Sequence, residues 1–173
     1  MASSTVVRKA GAQVWLPSED EWYKAAYHKK AGGVAGNYFG YPTSSDTVPS
    51  NVLVDPDPGN NANFYDSGYT IGSPFYRTVV GEFELSDSPY GTFDMGGNVW
   101  EWNEALISGS NRGLRGGGYG GHNNDLRSSS RYGYNPTDEY FDTGFRVASV
   151  PEPATLSLLG LGSLALVRRK RRA

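Results

Sequence analysis

The chain has no cysteine, and only 2 histidines and 2 methionines among its 173 residues. The first absence excludes disulfides, thiolate nucleophiles, cysteine-ligated zinc and iron–sulfur clusters together. The second leaves little for metal chemistry, because a facial triad of two histidines and a carboxylate would have to recruit both His28, at the exit of a predicted helix, and His122, in a Gly/Asn loop. Charged residues are sparse at 20%, and the net charge of −2 hides an asymmetry. Arg168, Arg169, Lys170, Arg171 and Arg172 sit together at the end, which leaves residues 1–150 with eleven basic against seventeen acidic residues, a net of −6. An acidic body repels phosphate backbones, so nucleic acid is not an expected partner. The residues from Met1 to Gly11 contain Arg8 and Lys9 but no apolar run of signal-peptide length.

What is abundant is glycine, at 23 residues, and aromatic side chains, at 13%. This composition describes one loop-rich domain in which stacked Tyr and Trp supply much of the core. One helix is expected from Ser18: Ser18 and Glu21 form a capping box, Trp22, Ala25 and Ala26 follow at helical spacing, and Lys29, Lys30, Gly32 and Gly33 supply stop signals. From Gly36 to about Asp66, Pro42, Pro49, Pro56 and Pro58 predict a long ordered loop pinned by Tyr38, Phe39, Tyr41, Phe64 and Tyr65. Short strands are expected at Arg77–Gly81, Asn98–Trp102, Gly113–Gly117 and Gly144–Ala148. Within the second of these, Trp100 and Trp102 should face one side and Glu101 the other.

After Val150 the character changes. Pro151-Glu152-Pro153 is followed by an uncharged apolar stretch, Ala154 to Val167, and then by the basic cluster. As a helix this stretch reaches roughly 21 Å, short of a hydrocarbon core of about 30 Å. Snorkelling arginines make it a plausible short transmembrane segment with the body outside. The three parts in this order resemble the PEP-CTERM sorting signals of bacterial exported proteins, with Pro151, Glu152, Pro153, Arg168 and Arg169 at the matching positions. The resemblance implies an exosortase-type partner, contact with the membrane before the tail is processed, and a final place in the bacterial envelope or on the extracellular surface. Without a visible export signal at the front, the expectation is a piece of a longer exported protein: residues 1–13 a remnant, 14–149 the body and 150–173 the tail.

Motifs in the body occur in a fixed order: Trp15-Leu16-Pro17-Ser18-Glu19-Asp20-Glu21-Trp22; Tyr90-Gly91-Thr92-Phe93-Asp94-Met95-Gly96-Gly97-Asn98-Val99-Trp100-Glu101-Trp102; Leu114-Arg115-Gly116-Gly117-Gly118-Tyr119; Leu126-Arg127-Ser128; and Gly144-Phe145-Arg146. Together they resemble the sulfatase-modifying factor family, the formylglycine-generating enzymes and their relatives. The resemblance implies an α+β, C-type-lectin-like fold, loop-rich with short strands and few helices, here joined to a C-terminal apolar helix. It covers the C-terminal part of the family domain, and Trp15 stands where relatives usually carry Arg. The copper-binding cysteines of the enzymes would fall on Gly121 and Leu126, so no copper and no oxidase activity are expected. The resemblance also implies calcium, held by the side chains of Asp94 and Glu101 with the carbonyls of Gly97 and Val99. A second calcium would use Asn63 and the carbonyls of Phe64 and Phe75, with Ser73 where a carboxylate is expected.

Other chemistries find less support. Ser128, Ser129 and Ser130 lack a nucleophile elbow, and Gly116-Gly117-Gly118 lacks the Lys and following helix of a phosphate loop. The stretch from Tyr119 to Asp142 is rich in Tyr, Asn and acids, which suits an adaptable recognition surface and equally a solvated loop. Tyr119, His122, Asn123, Tyr132, Tyr134 and Arg115 are the candidate contacts for a protein or glycan ligand. For Arg115 and Arg146, beside glycines, both structural pinning and ligand contact stand open. The stretch also resembles the variable region of retroelement-diversified lectin-fold proteins. The expectation is an exported, displayed, non-catalytic binding domain; the alternatives are a formylglycine-generating-type oxidoreductase, a non-thiol metal oxygenase, or a diversified lectin-fold binder.

Overall fold

A computed structural model describes residues 8–31 and 37–150. The capping box forms as the sequence requires. The Ser18 hydroxyl accepts the Glu21 amide at 3.1 Å, the Glu21 carboxylate accepts the Ser18 amide at 2.8 Å, and helix α1 runs Glu19–Tyr27. It stops earlier than the Lys and Gly signals suggest, because His28 turns extended and bridges to Tyr38. Gly32 and Gly33 lie outside the described residues.

The strands are β1 (Val14–Trp15), β2 (Trp100–Ser108), β3 (Asn111–Arg115), β4 (Tyr132–Tyr134), β5 (Thr143–Gly144) and β6 (Ala148–Ser149). The larger sheet has the order β4-β3-β2-β5, antiparallel except for the parallel β2–β5 pair, and β1 pairs with β6 separately. Three expected strands therefore shift: Asn98–Trp102 becomes a longer strand that starts at Trp100, Gly113–Gly117 forms as Asn111–Arg115, and Gly144–Ala148 splits between two sheets. The expected strand at Arg77–Gly81 does not form. Val79 and Val80 are exposed there, Gly81 adopts φ +79°, and its amide is capped by the Asp94 carboxylate at 2.7 Å, the geometry of a turn.

The long loop extends further than proline content alone indicates. Among the described residues, 37–99 contains only isolated bridges, including Ser50↔Asn61 and Asn63↔Gly97. Buried aromatics compensate for the missing ladders. One core cluster joins Trp22, Ala26, Tyr27 and Met95; another joins Tyr41, Ala62, Phe64 and Leu126. The Tyr27 hydroxyl donates to the Leu126 carbonyl at 3.0 Å and ties the two together. Gly97 shows how tightly loop and sheet meet: at φ +78°, a Cβ there would lie 2.3 Å from the Asn63 carbonyl oxygen. The expected C-terminal apolar helix falls at 154–167, outside the described residues, and no helix among the described residues is long and apolar enough to cross a membrane.

Candidate functional site

The motif carboxylates and arginines point inward. β2 alternates as expected, which leaves Glu101 only 7% exposed with Trp100 and Trp102 on the other face. Its carboxylate receives the Trp22 indole N–H at 2.7 Å and two nitrogens of Arg146 at 2.5 Å each. Arg146 also donates to the Asp94 carbonyl at 2.9 Å. Arg115 is buried as well. It donates to Glu19 at 2.7 and 2.9 Å and to the carbonyls of Ser128 and Ser130, with its guanidinium 5.0 Å from the Tyr23 ring centre. Arg131 closes on the same carboxylate. Burial raises the pKa of Glu19, but the hydrogen bonds from Arg131 and Arg115 outweigh it and hold the group below the usual carboxylate range. Of the two roles open for Arg115 and Arg146, these contacts are the pinning one.

The two oxygen sets implied for calcium differ in how they fit that ion. At the Asp94–Glu101 loop, both Glu101 oxygens are engaged by a guanidinium, Asp94 caps Gly81, and the Gly97 carbonyl accepts the Val99 amide at 2.8 Å. A divalent ion on the Glu101 carboxylate would sit beside a fixed positive charge, so this set does not fit. At Asn63 the side-chain nitrogen donates to the Tyr76 carbonyl at 3.0 Å and to Asn98 Oδ1 at 3.2 Å. Its buried Oδ1 has no partner among the described residues, and neither has the nearby Thr78 hydroxyl. A buried acceptor left over in this way fits a cation donor. The Phe64 carbonyl accepts from Asn51, the Phe75 carbonyl from the Arg77 amide, and Ser73 is exposed and brings no carboxylate. Among the described residues, no group of three or more His, Asp or Glu side chains could hold a metal ion.

Four of the candidate ligand contacts, Tyr119, His122, Tyr132 and Tyr134, fall into two aromatic runs. Tyr76 and Tyr119 stack at 5.5 Å, Tyr69 meets Tyr76 edge-on at 4.8 Å, and Tyr65 links Tyr69 to the exposed His122. A second run continues from Trp100 through Tyr132 and Tyr134 to Tyr140, the last two stacked at 4.7 Å. Hydrogen bonds bring these loops together: the backbone of Tyr65 to that of Gly121, the backbone of Trp100 to that of Asp142, and the Arg77 guanidinium to the Phe141 carbonyl. Gly118 keeps the junction narrow, since a Cβ there would touch Trp100 at 3.3 Å and the Asp142 carbonyl at 3.6 Å. Burial first, then the Asp142 charge among its neighbours, raises the Tyr119 phenol; Tyr134 is raised by burial, then by Tyr132, Tyr140 and Asp142. Both therefore stay neutral hydroxyl groups. Asn123 opens the short 3-10 turn Asn123–Leu126 and is only partly covered. Sequence reasoning missed Tyr69 and Tyr76 as members of this face. Their own segment reads as an ordinary loop, and only long-range packing brings them to Tyr119.

Residues 4–150 match the model of the sulfatase-modifying factor enzyme 1-like domain. The chain belongs to this family. A PEP-CTERM protein-sorting motif matches residues 149–172, a signal that supports export to the cell envelope or surface. The inactive C-alpha-formylglycine-generating enzyme 2 of Bos taurus is 30% identical over 146 residues, covering 78% of this chain and 43% of the relative. Its Mus musculus counterpart is also 30% identical, with 42% of its length covered. The chain thus spans less than half the length of these relatives. Among solved structures it is similar to Treponema denticola variable protein 1, with 28% identity, a TM-score of 0.52, and coverage of 80% of this chain and 48% of that one. CarF gives 26% identity and a TM-score of 0.56, covering 83% and 50% respectively. PvdO from Pseudomonas aeruginosa, at 24% identity and a TM-score of 0.50 over 82% of this chain and 54% of its own, shares the fold. The architecture is the sulfatase-modifying factor fold, with few helices and mixed sheets.

The two positions where the resemblance would place copper-binding cysteines, Gly121 and Leu126, are tightly packed. Leu126 is fully buried in the second core cluster. At Gly121 a Cβ would lie 2.6 Å from the Asp125 carboxylate, which instead caps the His122 amide at 3.0 Å. A thiol pair at these positions would require displacing a core side chain and a loop cap.

Proposed function

We propose that this sulfatase-modifying factor domain is a non-catalytic binding module, displayed at the cell surface, whose tyrosine face takes a protein or glycan ligand. The carrying observation is the continuity of that face from His122 through Tyr119 and Tyr76, and again from Trp100 to Tyr140. Tyrosine suits such a role because it presents a large rigid surface with a polar tip and little entropy to lose. The lack of thiols at Gly121 and Leu126 supports the non-catalytic part, as do the mammalian relatives, whose names describe them as inactive. Similarity to a Treponema protein described as variable supports recognition. In this reading the tail holds the chain at the membrane until it is processed, and calcium, where it binds, uses Asn63 rather than Glu101.

The test uses the full chain, screened against a printed glycan array and a phage-displayed peptide library, beside a variant carrying Tyr69→Ala, Tyr119→Ala and Tyr134→Ala. Hits in either arm that the variant loses support the reading. Hits that the variant keeps at full strength overturn the assignment of this face, and formylglycine formed from a sulfatase-motif cysteine above the no-protein background would overturn the non-catalytic part.

A further inference from the structure

The sorting motif begins almost on top of a strand. β6 pairs with β1 through Val14↔Ser149 and Trp15↔Ala148, and the Val150 amide donates to the Gln13 carbonyl at 3.2 Å. Val147, Ser149 and Val150 are exposed, and the preceding residue, Arg146, is bonded to Glu101 and the Asp94 carbonyl. Beyond Arg146, backbone pairing to Gln13–Trp15 is what keeps this end on the body. Pro151 follows Val150 directly, so there is no spacer before Pro-Glu-Pro.

Enzymes that act on a polypeptide chain commonly take it as an extended strand and pair with its backbone on both sides of the reacting bond. Past Val150 the extended chain to Pro153 reaches only about 10 Å, and two of those three residues, Pro151 and Pro153, have no N–H to offer. A sorting enzyme seated in the membrane thus has little free backbone to grip while β6 stays zipped. We propose that the substrate segment of the exosortase-type enzyme includes Val147–Val150, and that peeling β6 from β1 is the step that admits the motif. Release back to Arg146 adds about 14 Å of reach. Isolated two-stranded pairing is marginal and opens locally without global unfolding, and the Arg146–Glu101 anchor leaves the body intact when it does. The inference rests on the reading of residues 149–172 as a processed signal.

The test follows tail removal by mass shift, using the full chain with an added signal peptide in an exosortase-bearing host. One variant inserts eight Gly/Ser residues between Val150 and Pro151; the other is Val14→Cys with Ser149→Cys. Val14 and Ser149 lie directly opposite each other, where antiparallel Cα atoms stand about 4.5 to 5.5 Å apart, within disulfide reach. With no native cysteine, the staple can form only there. Expected are processing at least about fivefold faster with the spacer, and at least about tenfold slower with the staple until a reductant restores it. Equal rates in parent, spacer and stapled forms would overturn the peeling step while leaving the sorting signal in place. No tail removal in the parent or the spacer form would overturn the signal reading, and the peeling step with it.

Discussion

Two regions of this molecule invert the usual arrangement of polar and apolar residues. Around β2 and β3 the interior holds ions: Glu101 with Arg146 and the Trp22 indole, and Glu19 with Arg115. Between 65–76 and 119–142, tyrosines reach the surface, with Tyr132 50% exposed. The motifs that define the family lie mainly in the first region, where each charge is matched by a named partner. The segments between the motifs build most of the second, where rings touch one another. The difference separates a scaffold that tolerates little change from a face that can change without endangering the fold, and it can be tested by breaking each side in turn.

The largest effect should come from Glu101→Ala. It leaves Arg146 and the Trp22 indole without their acceptor in a mostly buried setting, and loss of one partner from a buried ion pair costs about 3–5 kcal/mol. Denaturant unfolding would measure this, and a loss below about 1 kcal/mol would mean that solvent replaces the carboxylate. Calcium gives the next comparison. If the ion binds the native state alone, a concentration of 100 Kd should stabilise by about 2.7 kcal/mol. Melting curves with and without calcium should show that increment in the parent chain and in Glu101→Ala, and lose it in Asn63→Ala. A calcium response that vanishes in Glu101→Ala but survives in Asn63→Ala would move the site back to the Asp94–Glu101 loop.

Tyr119→Ala with Tyr134→Ala should cost less stability than Glu101→Ala. Each removes one stacked aromatic pair, worth about 0.5–1.5 kcal/mol beyond its buried area. Ligand signal on the array should nevertheless fall at least about tenfold, as truncation of aromatic anchors commonly does. A melting-temperature loss equal to that of Glu101→Ala would show that the face belongs to the core.

The smallest effect is acid sensitivity. Hydrogen bonding from Arg8 leads the causes that hold Glu21 down at about 2, and Glu19 is also lowered. Because both are depressed in the folded state, their stabilisation is complete above the ordinary carboxylate range near 4.3 and is lost as pH falls through the lowered values. Glu21 is substantially exposed, so its share is modest. Urea titrations between pH 5 and 2.5 should show a shallower decline for a Glu19→Gln, Glu21→Gln variant than for the parent; parallel declines would refute the assignment.

Much of the first region was legible in advance. Ser18 and Glu21 announce their helix because a capping box is a local pattern, and Trp100-Glu101-Trp102 announces opposite faces for the indoles and the carboxylate through the two-residue period of a strand, while only the fold shows that the carboxylate is the buried one. Arg77–Gly81 misleads for the same local reason: a short apolar run between turn residues reads as a strand, but no neighbouring strand offers it a ladder. The second region was legible only in part. Tyr119, His122, Tyr132 and Tyr134 stand out by composition, while Tyr69 and Tyr76 join them through contacts more than forty residues away in sequence.

By itself, the sequence determined the absence of thiol chemistry, the helix at Ser18, the order of the family motifs and the sorting signal, because each depends on residue identity or near-neighbour spacing. The tertiary structure decided that Arg146 occupies the Glu101 carboxylate, that Asn63 keeps an unpaired oxygen, that Tyr69 and Tyr76 meet Tyr119, and that Pro151 directly follows a residue bonded to Gln13. Those outcomes depend on which distant groups meet, and no local pattern of residues specifies that.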